Sequence, residues 1–166
     1  MTQVAYSDDK EAKWTIKAKK PYYGFKIHIG IDSNLGFITT GHTTSANIHD
    51  SKEFFKLVEN MKLKKNAYVL ADKGYSSKTN RTFLNNKHYQ DGIMFKANSG
   101  KKLKNFQKVK NHLIGKKRSV IEGVFGTFKR LYGFVRSRYL GILKTNGQLL
   151  LSSIVFNLKK ASRFVT

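Results

Sequence analysis

"YVLADKGYSSKTNR", residues 68–81, begins with a short apolar run that ends on one carboxylate, Asp72. Tyr68 to Ala71 form a continuous apolar segment without alternation, the pattern of a strand inside a sheet. Such a strand, with helices on either side, places the chain among α/β or α+β sheet proteins. In open α/β sheets ligands gather beyond the carboxyl ends of strands, and Asp72 stands at such an end. The competing reading is a turn cap, with Gly74 in a left-handed conformation. Position alone favours the cap.

The flanking sequence supplies the rest of a mixed sheet. In "YGFKIHIGID", Tyr23, Phe25, Ile27, Ile29 and Ile31 alternate with Gly24, Lys26, His28, Gly30 and Asp32, which predicts a half-buried strand. "DSNLG" supplies a turn, and "FITTGHTTS" a second, antiparallel strand. Asp50 and Glu53 have capping-box spacing ahead of a helix whose apolar face is Phe54, Leu57, Val58 and Met61. Ser76 or Ser77 caps a short helix through Leu84, and "GIMFKA" reads as a further strand. Residues 98–110 read as a basic loop. Leu113, Ile121, Val124, Phe128 and Leu131 then recur at helical spacing from about residue 112 to 132. A last helix, about 144–164, carries Leu149, Leu150, Ile154, Leu158 and Ala161 and reads as core.

Composition narrows the partner. Of 166 residues, 32 are Lys or Arg and 10 are Asp or Glu, a formal charge of +22 that calls for a polyanion. Nucleic acid is favoured, because phosphate neutralisation supplies affinity without sequence readout. No apolar run predicts a membrane span, and the polar N-terminus is no signal peptide. The absence of cysteine excludes disulfides and thiolate metal sites. The five histidines lack metal-ligand spacing. Eight of the ten acids lie in residues 1–72, and beyond residue 92 Glu122 is the single acid.

Glu122 changes the weight given to Asp72. At 100° per residue, Arg118, Glu122 and Lys129 share an arc of roughly 40° on one helix. A plain surface ion pair there contributes about 0.3–0.5 kcal/mol. Two carboxylates in a basic surround also suit Mg²⁺-dependent phosphodiester chemistry, since Mg²⁺ prefers oxygen ligands and keeps several waters. Lys73, Tyr75, Arg136 and Arg138 are candidate DNA contacts beside Arg118 and Lys129; for Tyr75, packing over the strand end is the equal alternative.

"YYGFKIHIGID", "TSANIHDS", "VLADKGYSSKTNR", "RSVIEGVFGTFKRLYGFVRSRY" and "LLLSSIVFNLKKA" together resemble bacterial insertion-sequence transposases of the DDE type, in the insertion sequence 5 group of the insertion sequence 4 superfamily. The resemblance spans about residues 13–161. It implies a ribonuclease H-like mixed sheet with a helical C-terminal end, DNA cutting and joining at transposon ends, and Mg²⁺ (or Mn²⁺) as cofactor. It further implies DNA as partner, a homodimer on paired ends, and a cytoplasmic, nucleoid-associated bacterial protein. Asp72 resembles the family's second catalytic aspartate. Glu122 resembles its glutamate, in a Tyr-x2-Arg-x3-Glu-x6-Lys signature that Arg118 and Lys129 match and Gly115 does not.

The family's first catalytic aspartate has no counterpart here, because Asp8, Asp9, Asp32 and Asp50 all stand in the wrong context. The resemblance therefore implies a C-terminal part of a transposase, missing its first strand and weak in activity by itself. Residues 1–20 are expected as a linker, 21–139 as an incomplete catalytic core and 140–166 as a helix packing on it. The alternative function is a non-catalytic basic nucleic-acid-binding protein.

Overall fold

The alternating "YYGFKIHIGI" segment lies within a long strand, β2 (Lys20–Ile31), the centre of an antiparallel sheet. In the computed structural model, which describes residues 8–17, 19–97 and 100–164, β2 pairs with β1 (Lys13–Lys17) and β3 (Ile38–Ser45). The register breaks at Gly30/Ile31. Both faces of β2 are covered, contrary to the half-buried expectation. Phe25 and Ile29 are buried on one face; on the other, buried His28 stacks on His42 with ring centroids 5.0 Å apart and shares a hydrogen bond with Thr44 Oγ1. The polar face of the strand is thus an interior of paired imidazoles and hydroxyls.

The chain divides into two units, residues 1–48 with 123–166, and residues 49–122. In the first unit the last helix, α4 (Ile142–Ala161), packs on β3. Leu149 meets the open face of Gly41, and two asparagines pair with strand backbone. Asn146 Oδ1 accepts from Thr43 N at 2.9 Å; Asn157 accepts from Ile38 N and donates to Ile38 O. Side-chain amides thereby satisfy backbone groups of β3.

The contact face of α4 is Thr145, Leu149 and Ser153, whereas Leu150, Ile154 and Leu158, expected in the core, are exposed. The helix begins at Gly141, which offers no capping side chain. Asp9 Oδ2 accepts from Gly141 N at 2.7 Å and Glu11 Oε2 from Ile142 N at 3.0 Å. These two carboxylates satisfy free donors at the positive end of the helix. The segment expected as a linker thus contains β1 and the cap of α4; residues 1–7 and 18 lie outside the described residues.

The second unit holds a parallel pair, β4 (Tyr68–Ala71) with β5 (Gln90–Ile93), in register Tyr68↔Gln90 to Ala71↔Ile93. Among the described residues the parallel and antiparallel strands form two separate sheets rather than the mixed sheet expected, and β4, with one neighbour and an exposed Tyr68, is not an interior strand. Helices α1 (Asp50–Asn60) and α2 (Lys78–Asn86) contribute Phe54, Val58 and Leu84, which close a core with Val69, Ala71 and Ile93. Helix α3 (Asn105–Leu131) starts well before the expected residue 112. Gln107 Oε1 accepts from Lys104 N at 3.0 Å, the reciprocal half of a capping box, and Phe106 meets Phe95 edge-on. Ile114, not Leu113, is the buried residue of that turn, and Leu131 is exposed at the far end. Asn98 and Ser99 of the expected basic loop lie outside the described residues.

Candidate active site

Asp72 ends β4 and caps a 3₁₀ turn, Lys73–Tyr75, its Oδ1 accepting from Lys73 N at 2.7 Å. The capping role is therefore real, but its expected partner is different. Gly74 does not have the left-handed conformation. Glycine stands there because a Cβ would lie 3.1 Å from Asp50 Oδ2. His49, not Asp50, caps α1, with its Nδ1 accepting from Ser51 N at 3.2 Å. The imidazole at the cap sets the acid one residue further into the helix.

Asp72 also faces Arg118, whose Nη1 lies 3.7 Å from Oδ1. That guanidinium is largely covered and also contacts Met94 Sδ at 3.5 Å, while the Asp72 side chain is 47% exposed. A strand end and a helix about 46 residues apart in sequence thus meet at one carboxylate. Glu122 follows Arg118 by one helical turn of the same uninterrupted α3 and is exposed. Lys129, in the last turn of α3, and Arg136 and Arg138, in the segment before α4, are exposed. Gly115, at the tyrosine position of the expected signature, has open space where a side chain would stand.

The turn that follows Asp72 is clamped on the side of α2. Ser77 caps α2 by accepting from Asn80 N at 3.0 Å. Asn80 is buried and donates from Nδ2 to Ser51 O and Tyr75 O at 3.1 and 2.7 Å. Arg81 pairs with Asp91, donates to Ile93 O, Met94 O and Ser76 Oγ, and lies 4.7 Å over the Phe95 ring. Lys73 is exposed on the turn. Tyr75 rests on Phe54, with ring centroids 5.9 Å apart. Burial pushes its phenol well above the ordinary value, and the Asp50 carboxylate adds to the rise; Arg118 opposes it, and Asp72 and Glu53 reinforce it. Asn80 and Asp50 were not singled out as site residues from sequence; an asparagine on the inner side of a capped helix was the available signal.

Among the described residues, no group of three or more His, Asp or Glu is arranged to hold a metal ion. The donors at this site are carboxylate oxygens, the chemistry that suits a hard divalent cation retaining part of its water shell. No helix is long and apolar enough to cross a membrane.

The Asp72 carboxylate at the end of β4 thus faces an arginine that stands one helical turn before Glu122. The chain belongs to the family described as the transposase DDE domain, whose model matches residues 2–158. It is also 38% identical, over 160 residues, to a transposase for insertion sequence element IS1106 from Neisseria meningitidis serogroup B. That match covers 96% of this chain and 54% of the relative, so the chain spans about half the relative's length. No solved structure matched the chain.

Proposed function

We propose that this chain contributes two carboxylates, Asp72 and Glu122, to the Mg²⁺ (or Mn²⁺) site of a DNA transposase that cuts and joins DNA at transposon ends. The observation that supports this most is the approach of Arg118 to Asp72 on the helix that bears Glu122. A divalent ion held there would activate the attacking oxygen and stabilise the leaving one in an in-line displacement. Asp72 and Glu122 supply oxygen ligands. Arg118 fixes the Asp72 carboxylate and places positive charge where a phosphate would lie. Lys73, Lys129, Arg136 and Arg138 are assigned to the DNA backbone and the outer edge of Tyr75 to a base or sugar, within a ribonuclease H-like fold acting as a homodimer on paired ends in the bacterial nucleoid.

With two of the family's three acids matched, strand transfer by this chain alone is expected to be weak, whereas divalent-ion binding is expected to persist. The test is Mn²⁺ titration followed by calorimetry, together with DNA binding by the same protein. Asp72→Asn and Glu122→Gln should each weaken Mn²⁺ binding at least about tenfold and leave DNA affinity in Mn²⁺-free buffer nearly unchanged. Unaltered Mn²⁺ binding in both variants would support the alternative, a basic protein that binds nucleic acid without cutting it.

A further inference from the structure

The Asp72 turn is held by groups of α1 and α2. Asn80 Nδ2 faces two carbonyl oxygens, Ser51 O on the first turn of α1 and Tyr75 O at the end of the 3₁₀ turn. Both partners are acceptors, which fixes the orientation of the amide: the NH₂ group faces them. Aspartate would present oxygen to oxygen, and leucine would take the side-chain donor from Tyr75 O and the second donor from Ser51 O. From the α1 side, Asp50 Oδ2 would lie 3.1 Å from a Cβ at residue 74, so a side chain there would displace it slightly. Phe54 of α1 completes the clasp by packing on Tyr75. Three of these contacts converge on residues 74 and 75, just beyond the carboxylate whose own hydrogen bond to Lys73 N defines the start of the turn, and the fourth ties Asn80 to α1.

We propose that Asn80, with the Asp50–Gly74 contact, is a positioning device that fixes the Asp72 carboxylate at the end of β4. The inference rests on Asp72 being an ion ligand, and it acts through the backbone of residues 73–75. A free turn could rotate Asp72 away from Arg118 while the β4–β5 ladder stayed intact. The clasp prevents that by tying the turn to the N-termini of two helices whose apolar faces are anchored in the core.

Two readouts test it separately. The first is amide hydrogen exchange at Lys73, the donor to Asp72 Oδ1, compared with amides of the β4–β5 ladder such as Ala71 and Gly92. The second is Mn²⁺ affinity of the whole chain. In Asn80→Leu, Lys73 exchange should quicken while the ladder keeps its wild-type rates, and Mn²⁺ affinity should fall about 10–100-fold, as for other supports of ion ligands. Should Asn80→Leu unfold the ladder, Gly74→Ala decides, because its methyl asks the Asp50 oxygen to give only slightly. It should show the same two changes in milder form, and adding Asp50→Ala should restore Mn²⁺ affinity by making room. Unchanged Lys73 exchange in both Asn80→Leu and Gly74→Ala would overturn the proposal. So would failure of Asp50→Ala to rescue Gly74→Ala, which would give Asp50 a different role. If Lys73 exchange changes as expected but Asp72→Asn leaves Mn²⁺ affinity intact, the metal reading fails while the clasp stands as a support of the turn alone.

Discussion

The acids of the two units are used differently. In the first unit Asp9, Glu11 and Asp32 are each engaged by backbone donors: Asp9 by Glu11 N and Gly141 N, Glu11 by Ile142 N, and Asp32 by Asn34 N and Leu35 N. These carboxylates finish turns and a helix start. In the second unit Asp72 takes one short backbone contact and then faces a guanidinium, while Glu122 stands exposed on its helix one turn from that same arginine. A carboxylate saturated by N–H groups has a structural task; one that retains exposed oxygen beside a cation can take a ligand.

The strongest way to break this contrast is to exchange the two kinds of acid in one assay. Asp72→Asn should cost at least about tenfold in Mn²⁺ affinity with little change in the unfolding midpoint. Asp9→Ala should do the reverse. It leaves two amide donors without their carboxylate at a buried position and should cost about 1–3 kcal/mol in denaturant unfolding, with Mn²⁺ affinity retained. Equal effects on both properties from both variants would remove the distinction.

Much of this arrangement was legible in the amino-acid order, for reasons that are local. The unalternated run ending at Asp72 marks a strand, Ser77 marks the start of α2, and the 3.6-residue period places Arg118 and Glu122 on one helix. What was not legible is mostly long-range. Nothing near Asp9 or Glu11 shows that they serve a helix more than 130 residues away. Gly74 suggested a positive φ, whereas its requirement comes from Asp50, brought in by tertiary packing. One miss was local: Lys104 and Gln107 carry part of the start signal of α3, obscured by lysines and by the exposure of Phe106 and Val109. The His49 cap was overlooked because aspartate at the next position has the stronger capping preference.

A smaller effect separates positioning of DNA from chemistry on it. Lys129 and Arg136 are exposed and distinct from the Asp72 turn in the chain. If they neutralise phosphates, replacing either with alanine should lower the slope of log affinity against log salt by about 1, uniformly across DNA sequences. Mn²⁺ affinity should not move. A salt slope equal to wild type in both variants would exclude these two residues from the DNA path.

The smallest effect expected is a titration inside the second unit, and it sharpens the contrast by sensing charge directly. Burial, and then the Asp50 carboxylate, raise the Tyr75 phenol above its ordinary value near 10; Asp72 pushes in the same direction and Arg118 against it. The folded chain therefore holds this proton more tightly than the unfolded chain does. Its contribution to stability is complete below about pH 10, and it declines as the pH rises through the range where only the unfolded tyrosine ionises. Tyr75→Phe should abolish that part of the alkaline decline, measured as the difference between the two unfolding curves. Asp72→Asn removes one of the charges resisting ionisation, so the tyrosinate absorbance assigned to Tyr75 should emerge at lower pH; Asp9→Asn, in the other unit, should leave it in place. Superimposable titrations for wild type and Asp72→Asn would mean that the Asp72 charge is already cancelled at Arg118, and the acid would then belong with the caps of the first unit.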